Sequence, residues 1–209
     1  MTIEFTDIIT SEAELRTIIP PPGEMIIKKA IPVIDEHCKA FIARSPFLLI
    51  SSSDANGNLD VSPKGDPAGF VQVLDEKTLA IPDRVGNGRA DTIRNIIETQ
   101  NVGLLFLLPG KGETLRVNGT AKIVRDGWLR EQLAYKGKSP DVAIVVTVKE
   151  AFMHCAKCVY RSHLWDAESQ PDLQGLASLA QILVDHSKFN IDVNEFQEEI
   201  DEEYRDNLY

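Results

Sequence analysis

Val61-Ser62-Pro63-Lys64-Gly65-Asp66-Pro67 and, further along, Ile81-Pro82-Asp83-Arg84-Val85-Gly86-Asn87-Gly88-Arg89 share one design. Each joins a short apolar run of β type to a turn holding a cation, small residues and a hydrogen-bonding side chain. A phosphorylated group laid across a sheet needs that combination: charge for the phosphate, and glycine or serine where backbone comes close. Neither stretch matches G-x-x-x-x-G-K-[ST], and no G-x-G-x-x-G lies between a strand and a helix. A nucleotide held here would be held outside the Rossmann and Walker designs.

Outward from these stretches the chain reads as many short strands. Runs of β type cover residues 47–52, 60–62, 69–74, 78–81, 102–108, 115–124 and 142–148. Asp54-Ala55-Asn56-Gly57 is a hairpin turn, with Asn-Gly supplying positive φ angles. Asp75-Glu76-Lys77 and Pro109-Gly110-Lys111-Gly112 are further turns. This pattern predicts a mainly β (α+β) fold, a closed or nearly closed barrel.

Helical signals flank the strands. Ser11 with Glu14 forms a capping box, and an apolar periodic stretch runs from Lys28 to Phe41 beyond the break at Pro20-Pro21-Pro22-Gly23. Helices are expected from Arg89 to Thr99, with Ile93, Ile96 and Ile97 inward, and from Gly127 to Tyr135. A third is expected from Leu173 to Asp185, with Leu173, Leu176, Leu179, Ile182 and Leu183 on one stripe. The Asp192–Asp206 stretch, dense in Glu and Asp, reads as a solvated helix end or a partly disordered tail. The expected organisation is an N-terminal helical segment (1–42) packed on the barrel, the barrel itself (43–168), and a helical, acidic extension (169–209).

Composition narrows the function classes. A chain of 209 residues, 43% hydrophobic and 26% charged, suits one globular domain with appendages. A net charge of −10 argues against a general nucleic-acid binder, although Lys64, Arg84, Arg89 and Arg94 form a local basic cluster. No apolar run reaches the ~20 residues that a membrane span needs. Met1 to Asp7 lacks the pattern of a signal peptide, so the expected compartment is the cytoplasm.

The same ordered motifs recur in one known family. Ser45-Pro46-Phe47-Leu48-Leu49-Ile50, the Asp54–Gly57 turn, Ser62-Pro63-Lys64-Gly65-Asp66, Ile81-Pro82-Asp83-Arg84 and Thr114-Leu115-Arg116-Val117-Asn118-Gly119 carry the likeness. So do His154-Cys155-Ala156-Lys157 and Arg161-Ser162-His163-Leu164-Trp165. On these residues the chain resembles the pyridoxamine 5′-phosphate oxidase-related flavoproteins, FMN-binding split β-barrels with flanking helices, and within them an uncharacterised bacterial branch. The resemblance spans residues 30–168.

That resemblance implies FMN as cofactor and a homodimer with the flavin between subunits. A flavin performs the electron transfer, while protein supplies binding, orientation and electrostatics. Lys64, Arg89 and Thr92 are the first candidates for the phosphate, with Arg84 and Asn87 second. Arg89, near a helix start, would add free backbone N–H groups to its own charge. Ser62, Pro63 and the backbone up to Asp66 would reach the ring or ribityl edge, and Asp83 belongs to the matching strand end. Asp66 is a partner for Lys64, an acceptor at the pyrimidine ring, or a turn former. The family's late aromatic and basic residues correspond to Trp165 and Arg161, with Ser162 beside them; read without the family, Trp165 is a core or interface aromatic. Thr114 matches a position that touches the ring through a longer side chain. The family's Ser-Arg-Lys phosphate run reads Ala90-Asp91-Thr92 here, which argues against pyridoxamine phosphate as substrate and shifts the phosphate grip to other residues, such as Asn87 and Arg89.

Other chemistry ranks lower. Cys155-Ala156-Lys157-Cys158 has no second ligand pair for zinc, so reduced and partly buried thiols are expected ahead of a redox pair or a metal site. His37, His154, His163 and His186 show no ligand spacing, and no G-x-S-x-G elbow is present. Three functions compete: an FMN-dependent oxidoreductase acting on a small organic molecule with a reduced nicotinamide as donor, a non-catalytic flavin carrier or sensor, and a haem-binding split barrel with His154 or His163 as axial ligand.

Overall fold

The computed structural model describes residues 2–209; Met1, the first residue of the expected N-terminal segment, lies outside them. Seven antiparallel strands form one sheet: β1 (Phe47–Ser53), β2 (Leu59–Gly65), β3 (Gln72–Asp75), β4 (Thr78–Pro82), β5 (Asn101–Leu107), β6 (Thr114–Val124) and β7 (Ala143–His154). Their order is β2-β1-β5-β6-β7-β4-β3. The sheet rolls around the main core, a smaller cluster gathers Ala80 and Ala143 with Leu129 and Leu133, and the sheet's hydrogen bonding stops at the edge strands β2 and β3.

Alternation along the strands sets what the roll encloses. In β1 and β5 every second residue is buried, and Leu48, Ile50, Leu104 and Phe106 are at most 1% exposed. In β7, Ala143, Ile144, Val146, Val148 and Ala151 are buried, while Thr147 and Lys149 between them are exposed. The strand also runs to His154, well past the expected end at Val148. A bulge makes that length possible: the β6–β7 register shifts between Asn118 and Gly119. At Gly119 a Cβ would lie 2.1 Å from the carbonyl oxygen of Thr147, so only glycine lets the strands approach so closely.

The helices depart from expectation in instructive ways. α1 (Glu12–Ile18) carries the capping contact from Ser11, and α2 (Glu24–Lys28) follows. The helix expected from Lys28 to Phe41 divides. Pro32 forces Ile31 into an extended conformation, where it pairs with Ala151, and α3 (Glu36–Ile42) starts afresh on the Asp35 cap. α4 (Asp91–Thr99) buries Thr92, Asn95 and Ile96, whereas Ile97, expected inside, is 68% exposed. Its inward stripe is largely polar and works by hydrogen bonds: Asn95 to Ser52, and Thr99 to the Ser53 carbonyl. α5 (Gly127–Gln132) and α6 (Lys157–Ser162) are short.

Residues 173–178, expected to be helical, lie outside α7 (Leu179–Ser187), which begins on its Ser178 cap after a left-handed Gly175. The acidic stretch forms a helix, α8 (Val193–Asp206), capped by Asp192 and packed on α7. No described helix is long and apolar enough to cross a membrane.

Candidate functional site

The open seam of the sheet is where the two phosphate-type stretches meet. Asp60, Ser62 and Lys64 alternate onto one face of edge strand β2, and the segment after β4 runs from Asp83 to Ala90 before α4 starts. Two ion pairs bridge the gap. Lys64 Nζ donates to Asp83 Oδ1 at 2.6 Å, and Arg84 Nε donates to Asp66 Oδ2 at 2.6 Å. Of the roles open to Asp66, partnership with Lys64 is not taken up: Lys64 pairs with Asp83, while Asp66, with its side chain 1% exposed, serves Arg84. A buried carboxylate held by a guanidinium in this way fixes the distance between two strand ends that no ladder joins.

Between these bridges and α4 lies a cleft of about 740 Å³, with Ser62, Pro63, Lys64, Asp83, Arg84, Asn87, Arg89 and Thr92 in its wall. Eight candidate residues from separate stretches are thus brought together. Asp66 lines an adjacent hollow of about 200 Å³ and shares Arg84 with the cleft.

The cleft is balanced in charge. Lys64, Arg84, Arg89 and Lys138 face Asp60, Asp83, Asp91 and Asp141. Arg89, with its side chain 75% exposed, donates through Nε to Asp91, leaving the rest of its guanidinium open. Asn87 Oδ1 accepts from the Arg89 N–H. The hydroxyl of Thr92 is spent on Asp60 at 2.5 Å, which removes its side chain from the phosphate grip expected of it. Two backbone features remain. Gly88 and Ala90 both have positive φ, and no side chain caps α4. Its first-turn N–H groups therefore lack intrahelical partners beside the cleft. A left-handed alanine stores local strain, a cost that persists at sites where geometry matters more than stability.

Thr114, Arg161, Ser162 and Trp165 do not line this cleft. Thr114 opens β6 opposite His154, Ser162 Oγ donates to the Val159 carbonyl, and Trp165 Nε1 donates to the Lys111 carbonyl at 2.9 Å. All four cluster around the β5–β6 turn and α6. Cys155 and Cys158 are exposed rather than partly buried, and Cys38 is buried; all three are free thiols. Burial pushes the Cys38 thiol up to about 12, with the Asp35 carboxylate adding to the shift. His154 is held below its ordinary value by burial and then by the charges of Arg116 and Lys29.

One wall residue had no signal in the sequence. Tyr209 lines the cleft and donates its hydroxyl to Asp66 Oδ1 at 2.7 Å, a contact spanning 143 positions. The hydrogen bond to Asp66, helped by burial, raises the phenol to about 12. Lys138, equally unforeseen, donates to the main-chain oxygen of Tyr209.

Comparison with known proteins places this architecture. The pyridoxamine 5′-phosphate oxidase family matches residues 34–155. The chain belongs to that family. No curated protein sequence matches it. Among solved structures, HupZ from Group A Streptococcus aligns at 19% identity and a TM-score of 0.48, over 57% of this chain and 93% of that one. A candidate pyridoxamine 5′-phosphate oxidase from Lactobacillus delbrueckii aligns at 21% and 0.47, over 58% and 95%. HutZ, the haem storage protein from Vibrio cholerae, aligns at 14% and 0.40, over 58% and 94%. The matched family segment starts at Ile34 and ends at Cys155, so the N-terminal arm and the α7–α8 extension fall outside it.

Proposed function

We propose that the seam cleft binds FMN and that the protein is a flavin-dependent oxidoreductase acting on a small organic molecule. The observation that carries this reading is the convergence of Lys64, Arg89, Asn87 and the uncapped start of α4 on one cleft. Lys64 has one carboxylate partner and Arg89 spends one N–H on Asp91, so each keeps donors for a phosphate without breaking its pair. Ser62, whose hydroxyl makes only a long 3.5 Å contact, and the Pro63–Gly65 backbone flank the space for the ribityl chain and ring. Bound there, the flavin supplies the electron transfer; the chain orients it and excludes water. Asp60, Asp83 and Asp91 keep the cleft from holding more negative charge than one phosphate brings.

A homodimer would complete the site. The outward face of the sheet sets Leu49 beside Leu105 on β1 and β5, with Arg116 of β6 between Leu105 and Phe152 of β7, and edge strand β2 leaves Leu59 83% and Val61 61% exposed. The β5 and β7 faces carry mostly buried or half-buried apolar residues. A second copy seated on the Leu49–Leu105–Phe152 face would bring its own Arg161, Ser162 and Trp165 toward the cleft, and light scattering at micromolar concentration would show twice the monomer mass.

Among the described residues the cleft wall holds no histidine, cysteine or methionine, and its tyrosine, Tyr209, has its hydroxyl engaged by Asp66, which favours flavin over haem there, because haem iron needs an axial ligand. The absorption spectrum of the purified protein tests the reading. A flavin spectrum that bleaches with a reduced nicotinamide and recovers with a small acceptor supports it. A flavin that never turns over would make the protein a carrier or sensor, and a haem spectrum would overturn the assignment.

A further inference from the structure

Tyr209 is delivered to the cleft by the extension that the family match does not cover. Its immediate neighbours Asn207 and Leu208 are exposed, so the chain reaches inward at that residue alone. The contacts waiting for it are specific. Its ring lies 4.9 Å from the Tyr135 ring, with the Arg84 guanidinium 5.8 Å and the Lys136 ammonium 5.7 Å from its centroid. Its hydroxyl meets Asp66, a carboxylate 1% exposed and fixed from behind by Arg84. Lys138 takes its main-chain oxygen. Neither Lys136 nor Lys138 is paired with an Asp or Glu side chain among the described residues.

Taken without the tyrosine, these residues describe a receptor. A buried carboxylate accepts one O–H, an aromatic face and the cations of Arg84 and Lys136 surround a ring, and the Lys138 ammonium at the far end attracts negative oxygen. Arg84 lines both the cleft and the smaller hollow, so this receptor sits where the two adjoin. We propose that Tyr209 occupies in cis a binding subsite for a planar phenolic or enolic ring bearing an anionic oxygen group opposite its hydroxyl, and that a ligand of this class enters by displacing it. The proposal deepens the reading of the cleft as a ligand site but does not require the ligand of its other half to be FMN.

Displacement has a measurable signature, because a site blocked most of the time binds more weakly in proportion to its open fraction. 4-Hydroxybenzoate, with a phenol at one end and a carboxylate at the other, is the probe, titrated by calorimetry into protein without added FMN. Tyr209→Ala binds it about tenfold or more tightly than the wild-type chain. Tyr209→Phe, which keeps the ring but gives up the Asp66 bond, gains less. Adding Lys138→Ala to Tyr209→Ala removes the gain. Tyr209→Leu repeats the measurement should the alanine variant melt early. Equal affinity in wild type and Tyr209→Ala, or a gain that survives Lys138→Ala, overturns the proposal and leaves Tyr209 as a packing residue. FMN titrated into the same variants separates the two readings: lost flavin binding with the benzoate gain intact sinks only the flavin assignment.

Discussion

All of the largest fully buried side chains lie between Ile34 and Ile144, whereas no described residue before Ile34 is buried and only Ala180 is buried after Val159. The arm and the extension are nonetheless rich in apolar residues. Ile3, Phe5, Met25 and Leu176 are each between 73% and 81% exposed. The barrel together with residues 34–42 thus contains nearly all of the core, and the arm before Ile34 and the extension contribute little to it. Residues 29–34 are stitched to the sheet by backbone bonds to Ala151 and Glu76, and the extension reaches the cleft through Tyr209. Apolar side chains that no core absorbs, carried on segments the family match omits, leave exposed surface of the kind that marks interaction sites.

Substitutions in the two regions therefore differ steeply. Gly119→Ala drives a methyl into the Thr147 carbonyl in the middle of the β6–β7 pairing and costs about 4 kcal/mol or more, enough to abolish folding or lower the melting temperature by over ~10 °C. Phe106→Ala, in the centre of the core, costs ~3–5 kcal/mol by denaturant titration. Asn95→Ala leaves the buried Ser52 hydroxyl without its partner and costs ~1–3 kcal/mol. At the other end of the range, Leu176→Ala in the extension changes stability by less than ~0.5 kcal/mol. A large loss at Leu176 would erase the contrast and give the extension a core of its own.

Thiol labelling sharpens the same contrast by chemistry. At pH 8 Cys155 and Cys158 react with an aromatic disulfide reagent within minutes, while Cys38, buried and with its thiol pushed up to about 12, reacts only on unfolding. Because the folded state holds the Cys38 proton more tightly than an unfolded chain does, its contribution to stability is complete below the ordinary thiol range and fades as pH climbs toward 12. A Cys38 that labels as fast as the other two would place α3 off the barrel.

The strands and the cleft were legible for a shared reason. Alternation of apolar residues phases each strand locally, and the two stretches that met at the seam, Lys64 with Asp83 and Asp66 with Arg84, each announced a cation beside glycine or proline. What stayed hidden depends on distant partners. The inward stripe of α4 sets Thr92, Asn95 and Thr99 beside the expected Ile96, and apolar periodicity cannot find those three because hydrogen bonds to Asp60, Ser52 and Ser53 hold them. The β7 strand continues past Val148 through Lys149-Glu150, a polar pair that looks like a turn until the bulge opposite Gly119 absorbs it. Pro32 was readable as a break, yet the apolar spacing around it outweighed it. Nothing near Tyr209 predicts Asp66, since only the path of the folded chain brings them together.

The central claim is that the seam cleft grips a flavin phosphate, and an FMN titration of wild type beside Lys64→Ala/Arg89→Ala tests it most directly, followed by quenching of flavin fluorescence. Each charge-assisted hydrogen bond contributes ~1.5–3 kcal/mol, and removing both cations also leaves Asp83 and Asp91 uncompensated beside the phosphate. The account predicts saturable binding by the wild-type chain and an affinity weaker by about a hundredfold or more in the double variant. Equal affinity in the two proteins, or a wild-type chain that takes up no FMN, would contradict it.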